Sequence, residues 1–315
     1  MTGPSGAATA VELLGLGRRF GELTAVDGLT FAVGHGELFG IVGPDGAGKT
    51  TTLRMLAGVL RPSTGDARVR GISVARDPEG VKPVIAYMSQ RFGLYEDLTV
   101  RENIDFYADL YRVPRAVRPS RRERLWAFSG LGPFESRLAG ALSGGMKQKL
   151  GLCCALVHQP QVLLLDEPTF GVDPISRRDL WLIVHEMVAG GTTAIVTTAY
   201  MDEAERCDRV ALLHRGRLVG LDAPVRLQEA LRGSILGVSA DRPRAAVDAL
   251  RRAPGVRGAA LFGDRIHVSV AGGSGAWPEI RAAAQTGGVR LGDMRVIEPS
   301  LEDVFIHLVS EEGPA

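Results

Sequence analysis

Gly43-Pro-Asp-Gly-Ala-Gly-Lys-Thr50, followed by Thr51 and Thr52, is the stretch whose reading decides the fold. It has the spacing G-x-x-x-x-G-K-[ST], and its flanks are the ones this pattern needs. Leu38-Phe-Gly-Ile-Val42 is a continuous apolar run of strand length, and Thr50-Thr-Thr-Leu-Arg-Met-Leu-Ala57 has the composition of a helix. Glycines at 43, 46 and 48 let successive backbone N–H groups turn inward around an anion, at backbone angles that a side chain resists. The N-terminus of the following helix adds partial positive charge, Lys49 is placed to reach phosphate oxygens, and the Thr50 hydroxyl can ligate Mg²⁺. The loop reads as a cradle for the phosphates of a nucleotide. A glycine-rich turn without function has no need of strand, lysine and helix together.

At 315 residues the chain has room for one large domain and a smaller one. A hydrophobic content of 45% against 23% charged residues excludes a disordered or fibrous chain, and a net charge of +1 gives no reason to expect nucleic acid as a partner. Cys153, Cys154 and Cys207 are odd in number, two are adjacent and none has metal-ligand spacing, so reduced, buried thiols are expected. Residues 1–10 have neither a basic start nor an apolar run; they are expected to be a disordered N-terminus, not a signal peptide. No apolar stretch approaches the ~18–20 residues that span a bilayer.

Val11–Leu16 and Thr30–Val33 are short β-like runs on either side of Arg18-Arg-Phe-Gly21, read as an antiparallel layer ahead of the strand at 38–42. Asp66–Val74 and Val84–Met88 read as strands, the latter leading to Ser89-Gln90. Thr99-Val-Arg-Glu102 has the spacing of a capping box, with Val100, Ile104, Tyr107, Ala108 and Tyr111 on one helical face. Val113–Arg124, rich in Arg and Pro, reads as a solvated bend. Ser143-Gly-Gly145 opens a helix toward Val157, and Val162-Leu-Leu-Leu165 is apolar on both faces, as in a parallel sheet covered by helices. Pro174–Val188 reads as a helix, Ala194–Thr197 as a strand, Met201–Cys207 as a short helix and Arg209–Gly220 as a hairpin around Arg215-Gly216. Beyond residue 222 the composition shifts, and a β-α-β-β-α-β order describes a small α+β appendage. A closing helix is capped by Ser300 with Asp303 and is expected to bury Leu301, Val304, Phe305 and Leu308. Gly272-Gly-Ser-Gly275 lacks a lysine and a strand-to-helix setting and reads as a loop.

Two further stretches decide the class. Val162–Leu165 runs into Asp166-Glu167, a carboxylate pair at the tip of a strand. Asp166 suits Mg²⁺ held through water, and Glu167 suits the polarisation of an attacking water. Between this pair and the phosphate loop lies Leu142-Ser-Gly-Gly-Met-Lys-Gln148. There Ser143 caps a helix whose first N–H groups are bared by Gly144 and Gly145, a second anion-binding terminus. Phosphate loop, Leu-Ser-Gly-Gly-x-x-Gln and carboxylate pair, in this order, resemble the ABC-type ATPases over residues 11–220.

That resemblance implies an α/β, P-loop ATPase domain over 11–222, with an antiparallel β layer and a helical subdomain at about 91–160, followed by a C-terminal α+β accessory domain at 223–315. It implies ATP and Mg²⁺, with Gly43, Pro44, Asp45, Gly46, Ala47, Gly48, Lys49, Thr50 and Thr51 around the nucleotide and Phe20 stacked on its adenine. Thr50, Gln90 and Asp166 are then directed to Mg²⁺, and Glu167 and Gln90 are the catalytic pair. Ser143, Gly144 and Gly145, with Asp173 in Gly171-Val-Asp-Pro174, are implied to meet a second nucleotide-binding domain, a copy of this one or a paralogue. Arg91-Phe-Gly-Leu-Tyr-Glu-Asp-Leu98 and Ser300-Leu-Glu-Asp-Val-Phe305 resemble ATPase subunits of bacterial exporters for drugs, antibiotics or polysaccharides. A membrane permease is thereby implied as partner, and a cytoplasmic place on the inner face of the cell membrane.

Two positions depart from the family pattern. Asp45 stands where Asn is usual and is expected to face outward or across the dimer. Ala199, in Thr197-Thr-Ala-Tyr-Met-Asp-Glu-Ala204, stands where a His usually contacts the γ-phosphate, and an alanine cannot make that bond. Tyr200, next to it on a strand, points to the opposite face. Either hydrolysis is slow, or a second site with an intact His carries turnover. A subunit that binds ATP but barely hydrolyses it therefore stays open as a reading. So does a soluble ABC protein acting on ribosomes or DNA, although such proteins usually carry two cassettes or long coiled coils, which this sequence lacks.

Overall fold

The computed structural model describes residues 9–90, 93–231, 233–271, 273–286 and 289–311. The expectations for residues 1–8, for Arg91 and Phe92, and for Gly272 lie outside the described residues. Contacts divide the chain into two units, residues 9–200 with Leu213–Leu218, and Met201–Leu212 with 219–311.

The first unit opens with β1 (Thr9–Phe20) and β2 (Leu23–Gly34), paired antiparallel and joined at Gly21, whose φ of 58° suits a residue without Cβ. Val11, Leu13, Leu16, Leu29 and Val33 supply the buried face. Both strands outrun the apolar runs seen in the sequence because register shifts interrupt the alternation. Arg18 pairs with Val26 but Arg19 with Thr24, leaving Ala25 as the extra residue of a bulge. After β3 (Leu38–Val42) and α1 (Lys49–Leu56), β4 (Thr64–Val69) and β5 (Ile72–Ser73) complete a sheet of order β2-β1-β4-β5. The single strand expected over Asp66–Val74 is thus two strands, broken at Arg70-Gly71, where φ is positive at both residues.

The core follows as α2 (Pro78–Val81), β6 (Ile85–Met88), α3 (Val100–Leu110), α4 (Arg118–Ser129), α5 (Gly144–Leu156), β7 (Val162–Asp166), α6 (Pro174–Ala189) and β8 (Thr193–Thr198). Strands β3, β8, β7 and β6 lie side by side in that order, all parallel. Every residue of β3, β7 and β8 is buried, the covered-sheet pattern that continuous apolar runs foretell. Val42 pairs with Thr198, Asp166 with Thr197 and Met88 with Leu165, so the four strands end together on one edge. Ligands of open α/β sheets bind outside such carboxyl ends.

α3 carries the expected capping box: Thr99 Oγ1 accepts from Glu102 N and the Glu102 carboxylate accepts from Thr99 N. Its buried face is Val100, Asn103, Ile104 and Ala108, so a polar residue sits where periodicity sees none. The solvated bend expected over Val113–Arg124 is shorter than read. α4 begins at Arg118, because Pro119 is tolerated in a first helical turn and Arg118 and Arg122 form ion pairs with Asp109 and Asp105 of α3 at 2.7 and 3.1 Å. Cys153 and Cys154 are free thiols inside α5, and burial pushes the Cys153 thiol up to about 12.

The second unit holds α7 (Met201–Ala204), the greater part of the strands β9 (Arg209–His214) and β10 (Arg217–Asp222), and α8 (Pro224–Glu229). α7 is shorter than the helix expected to Cys207. There follow β11 (Ile235–Ala240), α9 (Pro243–Arg251), β12 (Val256–Phe262), β13 (Arg265–Val270), α10 (Trp277–Thr286) and β14 (Leu291–Val296). This is the β-α-β-β-α-β order of the sequence reading, closed into an antiparallel sheet of order β12-β13-β11-β14 around Leu236, Val238, Leu250, Val268 and Ile280. α11 (Leu301–Glu311) is capped by Ser300 as expected, but its buried residues are Leu301, Asp303, Val304 and His307, with Phe305 and Leu308 only half-buried. The polar pair displaces them because each member finds a partner on β13: Asp303 Oδ1 lies 2.9 Å from His267 Nδ1, and His307 Nδ1 lies 3.0 Å from Ser269 Oγ. Among the described residues no helix is long and apolar enough to cross a membrane.

Asn103 is fully buried; its Oδ1 accepts from Tyr95 N at 3.0 Å and its Nδ2 lies within hydrogen-bond reach of Tyr95 O, Leu98 O and Thr99 O. Truncation strands these backbone groups in the interior. Asn103→Ala is expected to lower unfolding stability by about 2–3 kcal/mol in a urea titration.

Candidate nucleotide-binding site

The site is assembled where β3 delivers the chain into the glycine loop. A Cβ built on Gly43 would lie 2.2 Å from the Leu213 carbonyl oxygen, and one on Gly48, at φ 98°, would lie 2.5 Å from the Ala25 carbonyl oxygen. Both positions therefore need glycine for close approach. α1 starts with no side-chain cap and no acidic residue in its first turn, so its leading N–H groups and positive dipole end face the loop uncompensated.

Lys49, 5% exposed, folds back over the loop. Its Nζ donates to Gly43 O at 2.7 Å and to Pro44 O at 3.1 Å, and forms an ion pair with Glu167 Oε1 at 3.2 Å. Thr50 Oγ1 donates to Asp166 Oδ1 at 2.9 Å, joining the start of α1 to the end of β7. Thr197 Oγ1 on β8 donates to the same oxygen at 2.8 Å, and the Tyr87 hydroxyl on β6 donates to Asp166 Oδ2 at 3.4 Å. Burial, with the Asp166 charge behind it, raises the Tyr87 phenol above its ordinary range and keeps it a donor. The carboxylate, 1% exposed, is thus met by hydroxyls from three elements.

Glu167 follows in an unusual conformation, φ 47°, which turns it out of the strand. Its N–H donates to Thr197 Oγ1 at 3.0 Å, and its Oε2 accepts from Gln90 Nε2 at 3.1 Å. Lys49 and Gln90 thereby hold one carboxylate oxygen each.

Lys49, Thr50, Gln90 and Glu167 border a cavity of about 840 Å³. Of the residues read from the sequence, Phe20, the run Asp45–Thr51, Gln90 and Glu167 line it; Gly43 and Pro44 lie behind as acceptors for Lys49, and Asp166 lies beneath as partner of Thr50. Leu23, Thr24, Ala25, Phe170 and Arg215 also line it and were not foreseen. The bulge that brings Ala25 there leaves no mark in an alternation pattern. Arg215 carried one signal, its place before Gly216 at the hairpin tip, where Gly216 N donates to Ala47 O at 3.1 Å and Gly216 O accepts from Asp27 N at 2.9 Å.

Ser143, Gly144, Gly145 and Asp173 come together elsewhere. Ser143 Oγ caps α5 by accepting from Met146 N, and Asp173 caps α6 by accepting from Ile175 N and Ser176 N. A Cβ on Gly145 would lie 2.1 Å from Ser176 Oγ, which sets the two helix starts against each other. None of the four lines the cavity. Ala199 is exposed just past β8, while Tyr200 carries the Arg177 guanidinium 4.7 Å from its ring centroid; neither lines the cavity.

The family profile described as ABC transporter matches residues 26–170. Over 225 residues the chain is 50% identical to "Probable multidrug ABC transporter ATP-binding protein YbhF" of Escherichia coli (strain K12), covering 71% of this chain but only 39% of that protein's length. It is 37% identical over 309 residues to "Daunorubicin resistance ATP-binding protein DrrA2" of Streptomyces coeruleorubidus, covering 95% of this chain and 94% of that protein. A solved structure described as "Structure of ATP binding subunit of ABC transporter" superposes with a TM-score of 0.65 at 30% identity, over 70% of this chain and 93% of that one. With the glycine loop, the Lys49–Glu167 pair and Asp166 gathered at one strand edge, these likenesses lead to one conclusion: the chain belongs to the ATP-binding proteins of the ABC transporters.

Proposed function

We propose that the chain binds MgATP in the cavity at the glycine loop, hydrolyses it in a dimer, and uses the cycle to energise a membrane exporter of drugs or other small molecules. The observation that carries this reading is the convergence of Lys49, Thr50, Glu167 and Gln90 on one cavity at an open helix terminus, with Asp166 bonded to Thr50 beneath it. Phosphate oxygens are met by the N–H groups of Gly46 and Gly48–Thr51, the Ala47 N–H being held by Pro44 O at 3.2 Å, and Lys49 supplies the point charge. The oxygen donors fit Mg²⁺, a hard cation that takes carboxylate, hydroxyl and amide oxygens. Thr50 Oγ1 and Asp166 Oδ1 are adjacent, and Gln90, its nitrogen engaged by Glu167, has its oxygen to offer. When bound, the ion neutralises charge on the phosphates. Asp166, Thr50 and Gln90 would hold it, and Phe20 would stack on the adenine.

Glu167 is the general base. A triphosphate competes with it for Lys49, and the carboxylate freed from that ion pair accepts a proton from the attacking water while Gln90 holds its other oxygen. Ser143–Gly145 and Asp173, lying off this cavity, belong to the site of a second nucleotide-binding domain, a copy or a paralogue. On this reading 11–222 are the ATPase domain with about 91–160 its helical part, and 223–315 an accessory domain, although contacts group Met201–Leu212 and 219–222 with the latter; the permease holds the assembly at the inner face of the membrane. Support for the exporter reading comes from the relatives' names, multidrug and daunorubicin resistance.

Glu167→Gln is expected to lower kcat for ATP by about 10²–10⁴-fold while the Kd for ATP, read with a fluorescent analogue, changes little; an unchanged kcat would overturn the role of Glu167. A second reading, an ATP-binding subunit with slow turnover, is favoured by Ala199, which offers no hydrogen-bonding side chain. On that reading Ala199→His raises kcat of the purified chain by about tenfold or more, and a wild-type rate that the substitution leaves alone counts against it.

A further inference from the structure

Phe20 is the last residue of β1, followed by the Gly21 turn, and is 45% exposed where it borders the cavity. An aromatic ring at a strand end has freedom to swing, and a stacking surface that must be ordered at binding loses affinity to that ordering. Here the ring is not left to swing. Arg18, two residues earlier and so on the same face of the strand, sets its guanidinium carbon 4.6 Å from the ring centroid.

The guanidinium is itself fixed. Nη1 of Arg18 donates to Arg61 O at 2.8 Å, while Nε is buried without a hydrogen-bond partner, a desolvation borne by a group placed over an aromatic face. The strand beneath is tied to the same turn: Ser63 N donates to Gly17 O at 2.8 Å, and Arg19 N donates to Ser63 Oγ at 3.1 Å. That turn follows the C-terminal end of α1, the helix whose first residues belong to the phosphate loop. One helix therefore spaces the phosphate cradle from the clamp on Phe20.

We propose that Arg18 is a positioning residue for the nucleotide base: it covers one face of Phe20, holds the ring in place and leaves the opposite face to the base. This deepens, and rests on, the reading of the cavity as an ATP site. A cation on one face draws π density toward itself, so the opposite face becomes electron-poor and stacks best on a large, electron-rich ring system. The device favours purine over pyrimidine nucleotides and does nothing for the phosphates.

The test is isothermal titration of the full chain with MgATP, MgCTP and magnesium tripolyphosphate, for the wild type and for Phe20→Ala, Arg18→Gln, Arg18→Lys and the Phe20→Ala/Arg18→Gln double variant. Arg18→Gln is expected to weaken ATP by about two- to fivefold, the scale of an exposed cation–π contact, with tripolyphosphate unchanged and the ATP/CTP preference reduced. Arg18→Lys keeps the charge but loses the planar guanidinium, and its ATP affinity is expected to fall between those of the wild type and Arg18→Gln. The double variant is no weaker than Phe20→Ala alone, because Arg18 acts through the ring. Equal losses for ATP and tripolyphosphate would reduce Arg18 to bulk charge and overturn the proposal. So would an unchanged ATP affinity in Arg18→Gln when Phe20→Ala loses it. If Phe20→Ala leaves ATP affinity intact, Phe20 is no platform, and the base-stacking part of the site reading fails together with this inference.

Discussion

A single buried carboxylate holds the first unit in register. Asp166 ends β7 almost without solvent, where an ionised group persists only if hydrogen bonds replace its hydration. Thr50, Thr197 and Tyr87 supply them, from the start of α1, the end of β8 and the middle of β6. Hydrogen bonds to a charged group contribute about 1.5–3 kcal/mol each, so the strand ends and the helix are tied at the point where the sheet opens. Two of these groups, Asp166 and Thr50, are also oxygen donors of the proposed cation site. Stability and ligation are therefore drawn from one set of contacts, and an apolar replacement of Asp166 forfeits both.

The second constraint is steric and runs through backbone. Ala25, extruded from β2 by the bulge, presents its carbonyl oxygen to two glycines: a Cβ would lie 2.5 Å away on Gly48 and 2.9 Å away on Gly216. Antiparallel layer, glycine loop and hairpin tip are locked at this oxygen, and the hydrogen bonds of Gly216 to Ala47 and Asp27 close the ring. The outer strands thus do more than cover the core sheet. They bring Phe20 and Ala25 to the wall of the cavity whose floor is the glycine loop.

The fold was legible wherever one local signal dominated. Continuous apolar runs named β3, β7 and β8, and a reciprocal cap named α3. What escaped was decided by partners distant in sequence. The arginines of α4 looked solvated until the carboxylates of α3 faced them, and Asp303 and His307 could not be read as buried before β13 supplied His267 and Ser269. The site divides in the same way. The motif residues were readable by type and spacing; the pairing of Glu167 with both Lys49 and Gln90, at 3.2 and 3.1 Å, was not, because spacing carries no information on which oxygen meets which donor.

The second helix terminus poses the remaining structural question. α5 begins with Ser143 and Gly144 exposed, and nothing stands within 4 Å of a Cβ on Gly144. A terminus this open can receive an anion. Yet it is welded to α6 through Gly145 and Ser176, and Asp173 is fixed as the α6 cap, so these residues move as one corner. That corner does not line the cavity beside its own glycine loop. On the proposed reading its nucleotide must come from another domain, and the cavity here must be covered by that domain's corresponding corner. Dimerisation is then a condition of the chemistry: Glu167 has its base position and its partners within one chain, but the triphosphate it acts on is enclosed only between two.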